Sequence, residues 1–486
     1  MKVLIMGLGL HGGGLESARF LLKRGAELTV TDLRDEQTLA PSIEQLEAAC
    51  GEGSRRTSIR YVLGKHEIDD FKNTDMVIKN PGVAPDSPFL QAARLASRRI
   101  ETDISLFLDA SPARLTAVTG SKGKSTTASA QHWVLAHSGE NKTGGKAYLG
   151  GNITVSPLTF LDDLREGDDV VLELSSWQLG DLRARRKAGH KTSENHANSM
   201  LLKPKVAVLT AIMPDHLDRY SSMEAYVDDK RVIYQGQDSA DFTVAANDEW
   251  GRGFLAESRA FPLMYSDVPL PEGVSGGWIE RSDSPGYARL SDGKLVELVP
   301  AQPLVPGRHQ KQNLLAAGLA LLGLGLPAET IRKSLETFPG VEHRLELFHQ
   351  ARGIMFYNDS AATIPEAAAA ALEALGGDKD GGRLILVTGG TDKNLDFSPL
   401  VQAAGRAKAI VLLAGTGSEK LCALFSDAGI AYRGPFDAPD KAIAAALEAA
   451  APGDRVALSS GCASFGMFLN EFDRGRKWKE AVRRLA

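Results

Sequence analysis

The sequence predicts three consecutive α/β domains: a Rossmann-like N-terminal domain (1–110), a larger central domain (111–338) and a Rossmann-like C-terminal domain (339–486). The chain has 486 residues, which corresponds to about three domains at roughly 150 residues each. Short apolar segments alternate with helical segments throughout, a pattern typical of mainly parallel sheets. Each of the three parts also opens with an apolar strand followed by a glycine-containing turn.

The composition is that of an ordinary globular protein. Apolar residues make up 43% of the chain and charged residues 24%, and the net charge of −5 is not concentrated in a tail. We therefore expect no nucleic-acid or membrane partner. The three cysteines, Cys50, Cys422 and Cys462, predict no disulfide framework and fit a reducing cytoplasm. The longest apolar stretch, 314–326, is shorter than the ~20 residues of a spanning helix, and the first residues predict a strand rather than a signal peptide.

The N-terminal domain begins with a strand, a glycine turn and a helix. We predict strands at 3–6 and 27–31, a helix at 15–24, and further elements at 76–79 and 92–95. Ser111 and Pro112 interrupt this alternation, and we place the first domain boundary there.

The first turn carries a glycine pattern that suits a nucleotide diphosphate. Gly7, Gly9 and Gly12 follow the strand as GxGxxG, and Asp32 lies twenty residues after Gly12. Glycines let the backbone approach a diphosphate, and the start of the helix contributes a positive dipole. By itself the pattern fits an NAD-dependent oxidoreductase, a protein that binds a UDP-sugar, or a turn that binds nothing.

The other two domains show the same alternation. In the central domain we predict strands at 115–118, 170–174, 206–209 and 242–245, irregular or hairpin structure at 267–307, and a buried helix at 312–324. In the C-terminal domain we predict strands at 354–357, 384–388, 409–413 and 456–459.

The polar stretch 180–205 contains His190 and His196. We interpret it as a solvated loop rather than a metal site, because no carboxylate or cysteine there has ligand spacing.

A phosphate-binding loop follows the first strand of the central domain. Residues 119–126 read TGSKGKST, which contains the short pattern GxxGKST, although Val118 stands where the full pattern has glycine. In such a loop the backbone N–H groups hold phosphates, the lysine reaches the terminal phosphates, and a hydroxyl binds Mg²⁺. The residues with these expected roles are Gly120, Gly123, Lys124, Ser125 and Thr126. The loop predicts ATP binding in a P-loop ATPase-like domain.

Acidic and histidine side chains follow two more strands of the central domain. Glu173 lies at the end of a strand, where a nucleotide's Mg²⁺ finds an acidic ligand; a solvent-facing glutamate is the alternative. Asp215, His216 and Asp218 follow the strand at 206–209 and could serve a metal and phosphate site.

Tyr226 and Lys230 lie four residues apart in a helical segment. By their spacing alone, they predict the exposed face of a helix.

Taken in order, these motifs resemble those of the Mur ligases of peptidoglycan synthesis. They are GSKGKST, GGN (150–152), ELSSWQL (173–179), DHLDRY (215–220), YxxxK, GRHQKQNLLAA (307–317), HR (343–344), NDSAAT (358–363) and GGTDK (389–393). The forms ELSSxQL, HxDRY and N-terminal GLGxxG are similar to those of the glutamate-adding branch. The resemblance covers all three domains.

The resemblance implies a substrate site in the first domain and an ATP site formed by the other two. The positions that match UDP-binding residues are Gly9, Leu10, His11, Gly12, Asp32 and Arg34, with 80–82 beyond them. The positions that match ATP-binding residues are Gly120, Gly123, Lys124, Ser125, Thr126, Asn152, Gln310, Asn313, Arg344 and Asp359. Gln310 stands where the family usually has asparagine, and Asp359 matches the carboxylate that holds the ATP ribose.

The family also implies two Mg²⁺ ions. The matching metal ligands are Ser125, Glu173, His216 and Lys230, and the catalytic set is Lys124, Glu173, His216 and Lys230. Lys230 matches a lysine that the family carbamylates, which would convert a cation into an anionic ligand.

The implied reaction is the ATP-dependent addition of D-glutamate to UDP-N-acetylmuramoyl-L-alanine. The alanine carboxylate attacks the γ-phosphorus of ATP, the amine of glutamate attacks the resulting acyl phosphate, and phosphate leaves. Mg²⁺ and Lys124 would make the meeting of several anions tolerable. We expect the C-terminal domain to close over the acyl phosphate, and we expect a monomer by family likeness.

The glutamate site departs from the family pattern. Ala361 replaces a lysine. In the C-terminal segment 459–471, Ser460, Gly466 and Glu471 stand where the family has proline, aspartate and phenylalanine. The remaining candidates for binding the amino acid are Thr363, Lys393, Ser464 and Phe465. The sequence therefore leaves open whether the acceptor is D-glutamate, L-glutamate or another amino acid.

Three other functions compete with this interpretation. An NAD-dependent oxidoreductase built on the first domain would leave the phosphate-binding loop and the third domain unexplained. A non-catalytic ATP-binding regulator would not need Lys230 or His216. A ligase that acts on folate would not carry a UDP-type fingerprint in its N-terminal half.

Overall fold

The computed structural model describes residues 1–10, 12–50, 59–139, 145–153, 155–187, 202–215, 219–281, 283–290, 292–376 and 382–485. The described residues form three β-sheets of five, nine and six strands. The chain divides into two compact units, Met1–Pro300 with Gln312–Leu335, and Ala301–Lys311 with Glu336–Ala486. The first unit contains two of the sheets, so the predicted three α/β domains are confirmed. Residues 301–311, which the sequence assigns to the central domain, group with the second unit.

The first sheet is parallel, with the strand order β3-β2-β1-β4-β5. Its strands are β1 (Lys2–Met6), β2 (Glu27–Asp32), β3 (Ile59–Leu63), β4 (Met76–Lys79) and β5 (Arg99–Glu101), and its helices are α1 (Gly13–Lys23), α2 (Glu36–Cys50), α3 (Ile68–Lys72), α4 (Pro88–Leu95) and α5 (Asp103–Ala110). The strand order reverses between β1 and β4, which is where ligands bind in open α/β sheets. The predicted element at 92–95 is the end of helix α4.

The second sheet surrounds the phosphate-binding loop. Its strands are β6 (Arg114–Thr119), β7 (Ala147–Gly151), β8 (Asp169–Glu173), β9 (Val206–Leu209), β10 (Phe242–Ala246), β11 (Phe261–Ser266), β12 (Gly276–Trp278), β13 (Gly286–Arg289) and β14 (Leu295–Val299). The helices are α6 (Lys124–His137), α7 (Ser176–Lys187), α8 (Met223–Arg231), α9 (Glu249–Glu257), α10 (Arg308–Gly323) and α11 (Ala328–Glu336). The order is β14-β13-β12-β11-β10-β9-β6-β8-β7, and β12 to β14 are antiparallel, which confirms the predicted hairpin structure.

The third sheet has the order β15-β16-β20-β17-β18-β19, in which only β15 is antiparallel to its neighbour. Its strands are β15 (Glu346–Ala351), β16 (Ile354–Asp359), β17 (Leu384–Thr388), β18 (Ala409–Leu413), β19 (Arg433–Phe436) and β20 (Arg455–Ser459). Its helices are α12 (Pro365–Leu375), α13 (Ser398–Ala403), α14 (Thr416–Asp427), α15 (Pro439–Ala449) and α16 (Glu471–Leu485). Apolar clusters cover both faces of this sheet.

The central strands read as continuous apolar runs because helices cover both faces of the parallel sheets. Every residue of β8, β9 and β17 is buried. In the second sheet Glu173 is in register with Val118 and with Gly151, and Thr119 with Leu209. The carboxyl ends of β6, β7, β8 and β9 therefore lie side by side, and the loops that follow them are neighbours. None of the described helices combines the length and the apolar composition that a membrane crossing requires.

Candidate active site

The loop between β6 and α6 is shaped by two glycines. Gly120 has φ = 149° and Gly123, which precedes α6, has φ = 93°. A Cβ atom on Gly120 would lie 1.9 Å from Thr210 Oγ1, and one on Gly123 would lie 2.2 Å from Asn313 Oδ1. Both glycines are therefore required by space as well as by backbone conformation. The same contact places Asn313, an expected adenine-binding residue, beside the loop.

Two lysine side chains meet at one carbonyl oxygen of this loop. Lys124 Nζ donates to Gly120 O (3.1 Å) and to Ser121 O (3.1 Å), and Lys230 Nζ donates to Gly120 O (2.7 Å). Lys230 and Tyr226 are each only 1% exposed. The prediction of an exposed helix face at these two residues is therefore wrong: α8 packs this face against the phosphate-binding loop.

The surroundings of Lys230 favour its uncharged amine. Burial, and after it the charge of Lys124, lower the pKa of Lys230 to about 7, although Asp215 and Asp229 oppose the shift. Near neutral pH, the unprotonated fraction of Lys230 is consequently larger than that of an ordinary lysine. An unprotonated amine is a nucleophile, and this is the form that reacts with carbon dioxide.

Ser121 and Tyr226 hold the loop and the helix together, a role that the sequence does not reveal. Met213 N donates to Ser121 Oγ (3.0 Å), and the Ser121 hydroxyl is 2.9 Å from both Met213 O and Tyr226 Oη. Lys230 Nζ lies 4.4 Å from the centre of the Tyr226 ring. Tyr226 therefore supports Lys230, and the YxxxK spacing is the signal that pairs the two residues.

Glu173 is buried beside the loop and has an oxygen atom available for a cation. Its Oε1 accepts from Asn152 Nδ2 (2.9 Å), and Asn152 N donates to Glu173 O (2.8 Å). Oε2 is buried and has no hydrogen-bond partner among the described residues. Glu173 is only 2% exposed, so the alternative of a solvent-facing glutamate is wrong. A buried carboxylate oxygen without a partner, at the end of a strand that pairs with β6, suits Mg²⁺, which prefers oxygen ligands.

Several predicted residues lie outside the described part of the chain. They are His11, His190, His196, His216 and Asp218. The second expected metal position is therefore represented by Lys230 alone.

In the first domain the glycine turn is fixed by Asp32. Gly9 N donates to Asp32 Oδ2 (3.2 Å), and Arg34 N donates to Asp32 Oδ1 (3.0 Å). Ser42 Oγ donates to Gly9 O (2.8 Å). Gly12 has φ = 74° and precedes α1. The structure thus brings Gly9, Gly12, Asp32 and Arg34 together at the carboxyl ends of β1 and β2; Leu10 lies in the same turn and is half-buried.

In the second unit Asp359 is buried at the end of β16. It accepts from Leu345 N (3.1 Å) and from Ser459 Oγ (2.6 Å). Burial raises the pKa of Asp359 to about 7, although Ser459, Leu345 N and the charges of Arg344 and Arg474 oppose the shift. The charge of Arg344 therefore reaches Asp359, so these two expected ATP-binding residues lie near each other.

The expected glutamate-binding residues Lys393, Ser464 and Phe465 also lie together. Lys393 Nζ is 5.2 Å from the centre of the Phe465 ring, which is 55% exposed, and Ser464 is buried. A β-bridge between Thr391 and Ala463 joins the two segments. Thr363 is half-buried in the loop after β16, and Gln310 lies in the first turn of α10.

Arg474 is a functional candidate that the sequence analysis missed. It is 1% exposed, and its guanidinium donates to Ser360 Oγ (2.9 Å), Ser360 O (2.8 Å) and Cys462 O (3.1 Å). Burial lowers its pKa to about 10. Arg474 therefore ties the NDSAAT segment to the segment that carries Ser464.

Family models match three parts of the chain. They are the Mur ligase MurD-like N-terminal domain over residues 1–101, the Mur ligase middle domain over 118–321, and the Mur ligase glutamate ligase domain over 343–462.

Two curated relatives match the chain over nearly its whole length. A UDP-N-acetylmuramoylalanine–D-glutamate ligase of Treponema pallidum (strain Nichols) is 39% identical, with 99% of this chain and 97% of the relative covered. A ligase of the same name from Roseiflexus sp. (strain RS-1) is 38% identical, with 99% and 98% covered. The solved structure of the MurF ligase from Thermotoga maritima in complex with ADP is similar in fold, with a TM-score of 0.52, 17% identity, and 94% of this chain and 95% of that chain covered.

Proposed function

The chain belongs to the Mur ligase family, and we propose that it joins D-glutamate to UDP-N-acetylmuramoyl-L-alanine in peptidoglycan synthesis, with conversion of ATP to ADP and phosphate. The names of the two relatives support this substrate pair. The structural observation that carries the proposal is the convergence of Lys124 and Lys230 on Gly120 O. A cationic Lys124 at a glycine loop that opens a helix suits the phosphates of ATP, and Lys230 lies beside it where a carbamate could bind a metal ion.

The ATP site uses the loop and the residues that pack around it. Backbone N–H groups of 120–126 hold the phosphates, and Lys124 leaves its carbonyl partners to contact the terminal phosphate. Asn313 lies against Gly123, and we assign it to the adenine base. In the second unit we assign Gln310, Arg344 and Asp359 to ATP, with Asp359 accepting from the ribose hydroxyls.

Mg²⁺ would be held by Ser125 and Glu173, and a second ion by His216 and Lys230. The free oxygen of Glu173 fits this role. Carbamylation would give Lys230 the negative charge that a metal ligand needs. When bound, the metal ions withdraw negative charge from the phosphates.

The chain's own residues prepare the two substrates for reaction. The glycine turn from Gly9 to Gly12, with Asp32 and Arg34, holds the UDP group, and Asn152 lies near the phosphate site beside Glu173. Lys124 stabilises the charge that develops as the alanine carboxylate attacks the γ-phosphorus. Thr363, Lys393, Ser464 and Phe465 hold the incoming glutamate, whose amine displaces phosphate from the acyl phosphate. Water must be excluded during this step because an acyl phosphate hydrolyses readily.

The proposal is tested by incubating the protein with ATP, UDP-N-acetylmuramoyl-L-alanine and either enantiomer of glutamate, and then determining the mass of the product. We expect the mass of one added glutamate with the D-enantiomer only. A preference for L-glutamate would mean that the changes at Ala361, Gly466 and Glu471 have rebuilt the pocket. No added mass with either enantiomer would refute the proposed substrate pair.

The Mur ligase models that match all three parts of the chain leave the alternative of an NAD-dependent oxidoreductase without support. Thermal stabilisation by ADP with Mg²⁺, but not by NADH, would favour the ligase, and the reverse result would favour the oxidoreductase. We further propose that the ligase is a monomer and that it acts in the cytoplasm, where both ATP and UDP-linked precursors are used.

A further inference from the structure

A cavity of about 340 Å³ lies within the first unit, between the edge of the first sheet and helix α7. Ligand pockets in proteins typically have volumes of about 300–1,000 Å³. The charged residues that line this cavity are Lys79, Arg94, Arg98, Glu101, Asp181 and Arg185. None of these side chains has a role in the proposed reaction.

The carboxylates of the cavity are already neutralised. Lys79 Nζ lies 2.7 Å from Asp181 Oδ2, and the two side chains are 3% and 8% exposed. Arg185 Nε lies 2.8 Å from Glu101 Oε2, and Arg99 Nη2 lies 2.9 Å from Glu101 Oε1. Arg185 also pairs with Asp109.

Two of the arginines keep an uncompensated charge. Arg94 Nη1 donates to Pro85 O (3.0 Å) and Arg98 Nε donates to Lys72 O (2.7 Å), so uncharged carbonyl groups orient both guanidinium groups. Neither arginine forms an ion pair with a described residue. The lining thus has four cations and two carboxylates. Counting Arg99 and Asp109 adds one charge of each sign, which leaves an excess of two positive charges.

The cavity lies at a sheet edge and has an excess of positive charge. It follows β5, the edge strand of the first sheet, from Arg98 before the strand to Glu101 at its end. Burial lowers the pKa of Lys79 although Asp181 opposes the shift, and the charges of Arg219 and then Arg94 add to the decrease. Guanidinium groups with free N–H donors bind phosphate oxygens in a planar, often bidentate geometry.

We propose that this cavity is a binding site for a small dianion of the phosphate type, either inorganic phosphate or a phosphate monoester. This site goes beyond the proposed ligation. A ligand in the cavity would contact Lys79, the residue before the loop 80–82, and helix α7, which comes after Glu173 in the chain.

The test is equilibrium dialysis of the full-length protein against radiolabelled inorganic phosphate. A non-hydrolysable ATP analogue with Mg²⁺, together with UDP, occupies the proposed substrate sites. We expect one saturable phosphate site, weakened at least about tenfold in the double variant Arg94→Gln/Arg98→Gln, which removes both uncompensated charges. Arg259→Gln, a change at an exposed arginine elsewhere in the same unit, should leave binding unchanged. Both variants should keep the wild-type unfolding temperature and basal turnover.

Competition distinguishes the two sources of the ligand. Displacement by glycerol 3-phosphate at lower concentrations than by unlabelled phosphate identifies a monoester, and the opposite order identifies free phosphate. The absence of saturable binding to the wild type, or equal binding to the double variant, would overturn the proposal. The readout is a difference in binding between variants, so it does not depend on whether the ligase reaction is assigned correctly.

Discussion

Lys230 Nζ donates a 2.7 Å hydrogen bond to Gly120 O, an atom that lies 110 positions earlier in the sequence. Lys124 Nζ donates to the same oxygen at 3.1 Å. Two cations on one neutral acceptor repel each other, and this arrangement is relieved when an anion enters or when one amine loses its charge. ATP phosphates would provide the first change, and carbamylation of Lys230 the second.

Lys124→Ala should abolish ATP turnover while the protein stays folded. In the structure Lys124 Nζ donates to the carbonyl oxygens of Gly120 and Ser121 in its own loop. The loss of a cation from a phosphoryl-transfer site costs roughly 10³-fold in rate. Phosphate release in the presence of all three substrates measures the effect. Lys203→Ala, on a half-exposed lysine elsewhere in the central domain, is the matched control and should stay within a few-fold of the wild type. Near-normal phosphate release from Lys124→Ala would refute the nucleotide assignment.

Lys230→Ala should be nearly inactive, and acetate or another short carboxylate should restore part of the turnover. The added carboxylate would occupy the space of the missing carbamate and supply its charge. Turnover measured against acetate concentration checks the effect, and the same titration of Lys124→Ala should restore nothing. An unmodified Lys230 in crystals grown with bicarbonate would count strongly against the carbamate.

Glu173→Gln should raise the Mg²⁺ concentration needed for half-maximal turnover by about 10- to 100-fold, the range typical for disturbed metal sites. The amide oxygen can keep the bond from Asn152, but the free carboxylate oxygen is lost. A Mg²⁺ titration of turnover at saturating ATP measures the change. Glu166→Gln, on an exposed glutamate of the same domain, should leave the titration unchanged. Identical titrations for Glu173→Gln and the wild type would remove Glu173 from the metal site.

Lys393→Ala should raise the KM for glutamate by about 10- to 100-fold, because a charge-assisted hydrogen bond contributes about 1.5–3 kcal/mol. With Ala361 in place of the family's lysine, Lys393 is the basic side chain that we assign to the distal carboxylate of glutamate. Initial rates at varied glutamate, ATP and UDP-sugar separate the three KM values. Lys441→Ala, on an exposed lysine of α15, is the control. If ATP affinity falls and glutamate affinity does not, Lys393 belongs to the nucleotide site.

Asp359→Asn should remove a pH-dependent loss of stability from the ligand-free protein. The pKa of Asp359 is raised to about 7 in the folded chain, above the ordinary value of about 4, so its ionisation disfavours folding. This cost grows as the pH rises from about 4 to 7 and is constant above that range. The variant should therefore gain free energy of unfolding relative to the wild type as the pH rises from 5 to about 7, and this difference should stay constant up to pH 8. Denaturant titrations at each pH measure it. A pH-independent difference would show that Asp359 titrates normally.

Much of the fold follows from local sequence pattern. The predicted strands at 76–79, 206–209, 384–388 and 409–413 coincide with β4, β9, β17 and β18. These strands are short apolar runs bounded by polar or glycine residues, so their signal needs no distant partner. The strands β3 and β5 were not predicted, because Arg60 interrupts the first and the second has only three residues.

The chemical identity of the site was also present in the sequence. The loop that contains Lys124 was sufficient to predict ATP binding, because it lies on a strand–loop junction that local pattern specifies. The ligase function came from the resemblance of the whole series of motifs to the Mur ligases. The register of β6 with β8 then brings this junction beside the strand end that carries Glu173.

Only the tertiary structure decided which of these side chains are buried and what they contact. The spacing of Tyr226 and Lys230 defines a face of α8 but not the surface that covers it, and the covering loop at Gly120 and Ser121 is more than 100 residues away. Packing between distant segments likewise decides three other features. They are the oxygen of Glu173 without a hydrogen-bond partner, the three hydrogen bonds of Arg474, and the charges of Arg94 and Arg98 at the cavity. Burial in low-dielectric surroundings shifts the pKa of Lys230 and of Asp359, and it depends on every neighbouring element rather than on local periodicity.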